Sequence, residues 1–291
     1  MKKLTYLLVI VTSILFLGLI FSYEPLKADT KDESDKEDKL ALNILAVNKK
    51  MYSLVKDLVG DKHNLSYLVN SEKEIINLDL DEVSEEFMQT NLFIYNGFVE
   101  DNLLKNIINK FDVTKTGLIN ISRGVRPILS NSYLEDKKNP YYLLGFNEYK
   151  IALYNVKEAL QDKDFENRNY YEENYNKIVK EIDDFLIEAK NELDKYKYKD
   201  YSIITNTNKF DYLFRSLDIE TKSIDDIESL EYTSDGKFIF IYSKEDDNIE
   251  EIKNHIDISF NYLGLSSEGD YKSLLENTKL IIEAIKNNIN G

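Results

Sequence analysis

The chain has 291 residues, 31% of them charged and 43% hydrophobic, which is material for one large or two modest globular domains and not for a disordered chain. Its 53 acidic residues outnumber 37 basic ones, for a net charge of −16. Nucleic acid is thereby excluded as a partner, because phosphates need a basic surface. The absence of cysteine excludes disulfides, thiolate metal sites and lipidation on this sequence.

Lys2 and Lys3 precede an uncharged run over residues 4–23, so residues 1–28 read as a signal peptide or a membrane anchor. About twenty apolar residues suffice to span a bilayer. Leu26-Lys27-Ala28 is an imperfect cleavage site, since Leu26 stands where a small residue is preferred. A retained anchor would keep the two lysines cytoplasmic and place the body outside. Residues 29–39 are nearly all charged or polar and read as a solvated linker.

From Leu40 onward short apolar runs alternate with amphipathic stretches, the pattern of βαβ units and parallel sheets. Residues 42–47, 67–69, 92–95 and 118–121 read as four strands. Leu54, Val55, Leu58 and Val59 mark a helix after the first strand. An acidic helical segment spans 81–89, and Val99, Leu103, Leu104, Ile107 and Ile108 form another stripe at helical spacing. Tyr171, Tyr175, Ile178, Ile182, Phe185, Ala189 and Leu193 recur every three or four residues along a long amphipathic helix. Residues 201–204, 238–242 and 256–260 then read as strands, and 274–289 as a closing helix. Most of the 21 tyrosines are assigned to packing.

Several phrases carry a resemblance: Val59-Gly60-Asp61-Lys62, the strand from Asn91 to Gly97, Ile119-Asn120-Ile121-Ser122-Arg123-Gly124-Val125, Asn139-Pro140-Tyr141-Tyr142-Leu143-Leu144, residues 170–188, Phe210-Asp211-Tyr212-Leu213, and Gly269-Asp270-Tyr271-Lys272-Ser273-Leu274-Leu275. In number, order and spacing they resemble the zinc and manganese solute-binding proteins of ABC transporters. The resemblance implies an α/β fold of two lobes, each a mainly parallel sheet flanked by helices, joined by a long rigid helix that permits small lobe movements and no wide hinge. On that reading residues 40–165 form the N-terminal lobe, 166–197 the linking helix and 198–291 the C-terminal lobe. The second lobe is shortened, with 223–236 replacing a helix by a loop or single turn.

The family holds its metal between the lobes with histidines and carboxylates drawn from both, as zinc chemistry requires. Counting along the chain places the first ligand at Glu74 or Ile75, the second at Tyr141, the third at Thr207 and the fourth at Asn261. None of these is a histidine. The set Glu74, Tyr141, Thr207 and Asn261 has at most one formal charge, too little compensation for a divalent ion in a partly buried cleft. Tyr141, Tyr142, Thr207 and Asn261 suit a different task, hydrogen bonding or stacking on a small organic ligand, or else polar packing at an interface. The chain's two histidines, His63 and His255, lie away from these positions and read as exposed or structural.

Two readings follow from the resemblance. One is an extracytoplasmic, monomeric solute-binding protein working with an ABC permease, with a divalent metal ion as the transported ligand. The other is a degenerate scaffold used for adhesion, assembly or regulation, or for a non-metal solute. Enzymes are set aside: no Gly-rich phosphate loop, nucleophile elbow or cysteine nucleophile is present.

Overall fold

In the computed structural model, strand β1 (Asn43–Asn48) carries an almost unbroken apolar run, buried on both faces, as the centre of a parallel sheet requires. Helix α1 (Lys49–Val59) follows directly. The Asn48 side chain caps it by accepting from the Met51 N–H at 3.0 Å, and Gly60 ends it at φ 56°. A Cβ on Gly60 would lie 2.5 Å from the Tyr170 hydroxyl, so only glycine fits this turn.

The chain continues through β2 (Asn64–Val69), a 3-10 turn (Glu72–Asn77), α2 (Ser84–Gln89), β3 (Leu92–Tyr95), α3 (Asn102–Ile108) and β4 (Gly117–Asn120). These strands form a parallel sheet of order β2-β1-β3-β4, in which Ala46 faces Tyr67 on one side and Ile94 on the other. A helix pair follows, α4 (Phe146–Lys163) and α5 (Arg168–Lys195). The second half holds β5 (Tyr201–Thr205), α6 (Asp211–Leu217), β6 (Thr221–Ser223), β7 (Lys237–Ser243), α7 (Ile249–His255), β8 (Asn261–Leu265) and α8 (Tyr271–Ile289). Its sheet, β6-β5-β7-β8, is also wholly parallel. The expected fold class, α/β with two parallel sheets flanked by helices and a long central helix, is the observed one.

The structure describes residues 41–79, 84–98, 102–129, 138–224, 237–245, 249–255, 260–268 and 270–289. The expected anchor at 1–28, the linker at 29–39, most of the shortened segment 223–236, the start of the helix at 81–83, Val99 and the strand residues 256–259 lie outside them. The His255 and Leu103 side chains do as well.

Of the strand expected at 256–260 only Phe260 is described; it lies outside any strand and packs with Ile204 and Phe240, while the strand β8 at Asn261–Leu265 was not expected. The long central helix is α5, as expected, and α4 packs along it. Lys157 of α4 joins Glu172 of α5 at 2.8 Å, under the rings of Tyr154 and Tyr175.

A single apolar cluster runs from Ile44 and Phe93 under the first sheet, through Phe146, Tyr149 and Ile182 of the helix pair, to Tyr212, Leu274 and Ile285. His63 is tied into it. Its Nδ1 accepts from the Leu42 N–H at 3.2 Å, so Nε2 carries the proton and faces the Tyr171 hydroxyl, which donates to Asp164. Of the two histidines, this one is structural, with its side chain 4% exposed.

Burial lowers the His63 pKa against the opposing pull of Asp164. Below the ordinary imidazole value of about 6.5 the unfolded chain therefore binds a proton that the folded chain refuses, and stability falls as pH falls through that window. Urea titrations from pH 7.5 downward are expected to show this loss, and His63→Gln to flatten it. Tyr171→Phe, which takes the hydroxyl from both neighbours, is expected to cost about 1–3 kcal/mol at neutral pH.

Candidate functional site

Both sheets turn the carboxyl ends of their strands toward one cleft, the place where open α/β sheets bind ligands. The residues just beyond those ends build a cavity of about 260 Å³. From the first sheet come Asn48 at the end of β1 and Lys50 after it, Asn70 and Ser71 after β2, and Asn96 after β3. Glu245 follows β7 and Glu268 follows β8, while Lys209 lies between β5 and α6. Pro140, Tyr141 and Leu143 close the side nearest the helix pair. A second hollow of about 420 Å³ shares Lys50, Asn70, Ser71 and Glu268 with the first.

The charged groups are tightly arranged. Lys50 Nζ donates to the Ser267 carbonyl at 2.7 Å, and Lys209 Nζ reaches the Ser267 hydroxyl at 3.3 Å. The Lys209 ammonium also lies 5.3 Å from the centroid of the Tyr141 ring, a cation–π distance. Glu245 accepts from the Ser267 N–H at 2.9 Å, the Ser267 hydroxyl at 3.1 Å and the Ser266 hydroxyl at 2.6 Å. Burial works to raise the Glu245 pKa, but these donors overcome it and hold the group below its ordinary range, ionised at neutral pH.

Behind the cavity the two halves are joined through Asn139, which is fully buried. Its amide donates to the Asn208 carbonyl at 2.7 Å and to Asp211 at 3.2 Å, its side-chain oxygen accepts from the Tyr141 N–H, and its carbonyl accepts from the Tyr212 hydroxyl at 3.1 Å. Tyr212 in turn accepts from the Ile128 N–H at 3.0 Å. Burial pushes the Asp211 carboxyl up to about 6, opposed by the Asn139 amide. Nearby, Arg215 pairs with Glu148 at 2.8 Å. A Cβ on Gly145 would sit 2.6 Å from Tyr212 Cβ, so glycine lets α4 begin against α6.

Of the four residues singled out from the sequence, the structure brings Tyr141 into the cavity lining. Glu74 is exposed and turned back on its own loop, accepting from the Asn70 N–H at 3.1 Å and from Ser71 at 3.4 Å, so it shapes the loop that lines the cavity. Its neighbour Ile75 is core. Thr207 forms the turn beneath Lys209, accepting from the Lys209 N–H at 3.3 Å. Asn261 opens β8, four residues and about 13 Å of strand from the cleft end, where Ser266 and Ser267 stand instead. Tyr142 is fully buried and belongs to the core. Sequence reading missed Lys50, Lys209, Glu245 and Ser267, whose one signal is a position just past a strand's carboxyl end. Among the described residues, no group of three or more His, Cys, Asp or Glu side chains could hold a metal ion.

The family model described as "Zinc-uptake complex component A periplasmic" matches residues 44–238. The chain belongs to this family. Zinc-uptake component A relatives include the metal ABC transporter substrate-binding lipoprotein SloC of Streptococcus mutans, 25% identical over 79% of this chain and 74% of that one. The manganese ABC transporter substrate-binding lipoprotein PsaA of Streptococcus pneumoniae is 26% identical over the same shares. The fold is shared with FpvC of Pseudomonas aeruginosa, solved with Mn2+, at a TM-score of 0.68 and 17% identity over 84% of this chain and 99% of that one. A Mn-bound periplasmic metal-binding protein of Candidatus Liberibacter asiaticus matches at 0.64, with 17% identity over 83% and 98%. As a member of the zinc-uptake component A family, the chain is a solute-binding protein of the ABC-transporter kind and not an enzyme.

The Asn139 junction is open to direct test. Tyr212→Phe removes one hydroxyl that serves both Ile128 and Asn139, and is expected to lower the unfolding free energy by about 1–3 kcal/mol in urea melts. An unchanged midpoint would show that the junction adds nothing to stability.

Proposed function

We propose that this protein is the extracytoplasmic binding component of an ABC importer whose cleft has given up the divalent cation that its relatives' names record. The carrying observation is the pair of ammonium groups, Lys50 and Lys209, converging on Ser267 between the two sheets. A divalent ion ~4 Å from one ammonium is repelled by roughly 8 kcal/mol at an effective dielectric near 20. Nanomolar binding corresponds to about 12 kcal/mol in all, and the two cleft carboxylates only offset the two ammonium groups in formal charge: Glu245 is already engaged by four donors from Ser243, Ser266 and Ser267, and Glu268 is the other, so no net negative charge is left for a divalent ion. Neither Tyr141 nor Thr207 supplies a carboxylate or an imidazole.

The cargo class that fits is a small polar organic solute. Amides, hydroxyls and charges of both signs line about 260 Å³, and the neighbouring hollow leads toward Ser71 and Glu268. An ABC permease is the partner. The protein acts as a monomer, held at the outer membrane surface through residues 1–28, since relatives named as lipoproteins are tethered by lipid and this sequence has no cysteine to carry one. Thr30 to Lys39 then spaces the body from the bilayer.

Thermal unfolding of the full chain in detergent, after chelation and with zinc or manganese restored, tests the cation reading. An ion at ~1,000 times its dissociation constant stabilises by about 4 kcal/mol, roughly 8–16 °C here. No shift is expected with either ion. A shift of that size would return the protein to metal uptake.

A further inference from the structure

The two lysines cross the cleft in opposite directions. Lys50 leaves the first turn of α1, beside the first sheet, and reaches the backbone beyond β8 of the second. Lys209 leaves the turn after β5 of the second sheet and lies over Tyr141, which precedes α4 on the other side. Both end at Ser267, 1% exposed, whose N–H and hydroxyl are taken by Glu245. Lys209 is itself 8% exposed. A metal bound between lobes cross-links them by drawing ligands from both. Here a covalently attached ammonium makes that cross-link, with a ring face and a serine oxygen as its ligands.

We propose that Lys209 is a tethered cation that holds the cleft closed without cargo and, with Lys50, determines the rejection of divalent ions. The inference rests on the proposed loss of the metal cargo. It has a physical consequence that this loss alone does not: neutralising Lys209 must loosen both sides of the cleft, because the ammonium is the group that spans it. Polar packing of one loop would loosen only that loop.

Hydrogen exchange on the full chain in detergent separates the two. Lys209→Met keeps the aliphatic stem and removes the charge, and Lys209→Arg keeps the charge. In the methionine variant, amides at 139–144 and 265–268 are expected to exchange about tenfold faster, the loss of roughly one desolvated cation–π contact, while the centre of α5 is unchanged. The arginine variant is expected to stay near wild type. Acceleration confined to 205–211, or absent, overturns the tethered cation. Lys209→Glu supplies an independent arm: it removes one of the two ammonium groups and adds a third carboxylate to Glu245 and Glu268, and manganese is expected to raise its Tm by several degrees while leaving wild type unmoved. A glutamate variant indifferent to manganese overturns the specificity role. A wild-type chain that binds manganese, yet whose methionine variant loosens both sides, would retain the latch and remove the proposed function.

Discussion

The apolar core is continuous beneath the cleft, and this continuity constrains everything above it. Tyr149 of α4, Tyr271 and Leu274 of α8, and Phe146 at the start of the helix pair belong to the same cluster as Ile44 and Phe93 of the first sheet. Pulling the sheets apart would expose several such side chains at about 1.5–3 kcal/mol each. A handful exhausts the 5–15 kcal/mol that holds a typical domain folded. The sheets can therefore shift on a shared floor but cannot swing open, and discrimination among ligands must come from side chains at the cleft and not from a large closing motion.

Above that floor the contacts change character, from apolar packing to single hydrogen bonds that each span the two halves. Asn139 and Tyr212 form the deepest of these and Lys50 with Ser267 the outermost, beside the cation–π contact of Lys209 with Tyr141. Such bonds are individually weak but geometrically exact in what they demand, so they set the spacing of the strand ends that the core leaves free by small amounts. Asp211 sits at the inner boundary, where burial already raises its carboxyl to about 6.

Much of the architecture was legible because parallel strands are buried on both faces and announce themselves as apolar runs, as Ile44 to Val47 and Phe93 to Ile94 do. The stripe from Tyr171 to Leu193 likewise marked α5. Helix α4 escaped notice because its buried positions include Glu148 and Lys157, charged residues that blur the period and find their partners only in tertiary structure. Strand β8 was missed because Asn261–Leu265 lacks the clean alternation of residues 256–260: its first residue is exposed, the next two are half-buried and only Gly264 and Leu265 are buried. Asn261 therefore marks the start of that strand, and Ser266 and Ser267 follow its cleft end. Lysines at strand ends carry no pattern at all, and Lys50 and Lys209 resemble any solvated charge until the sheets bring them to one serine.

Lys50 also stands in the first turn of α1, a turn that holds no acidic residue. The amino end of a helix is its positive pole, so a cation there is opposed by the peptide dipoles by about 0.3–1 kcal/mol, and Lys49 beside it meets the same field. Asn48 answers part of this by capping the Met51 N–H. The helix and the cleft thus make contrary demands on one side chain: an acid at this position would suit the helix and repel Glu245 and Glu268 across the gap. A local sequence preference has been overruled at this turn, and conflicts of that kind gather where a fold has been shaped for a task rather than for its own stability.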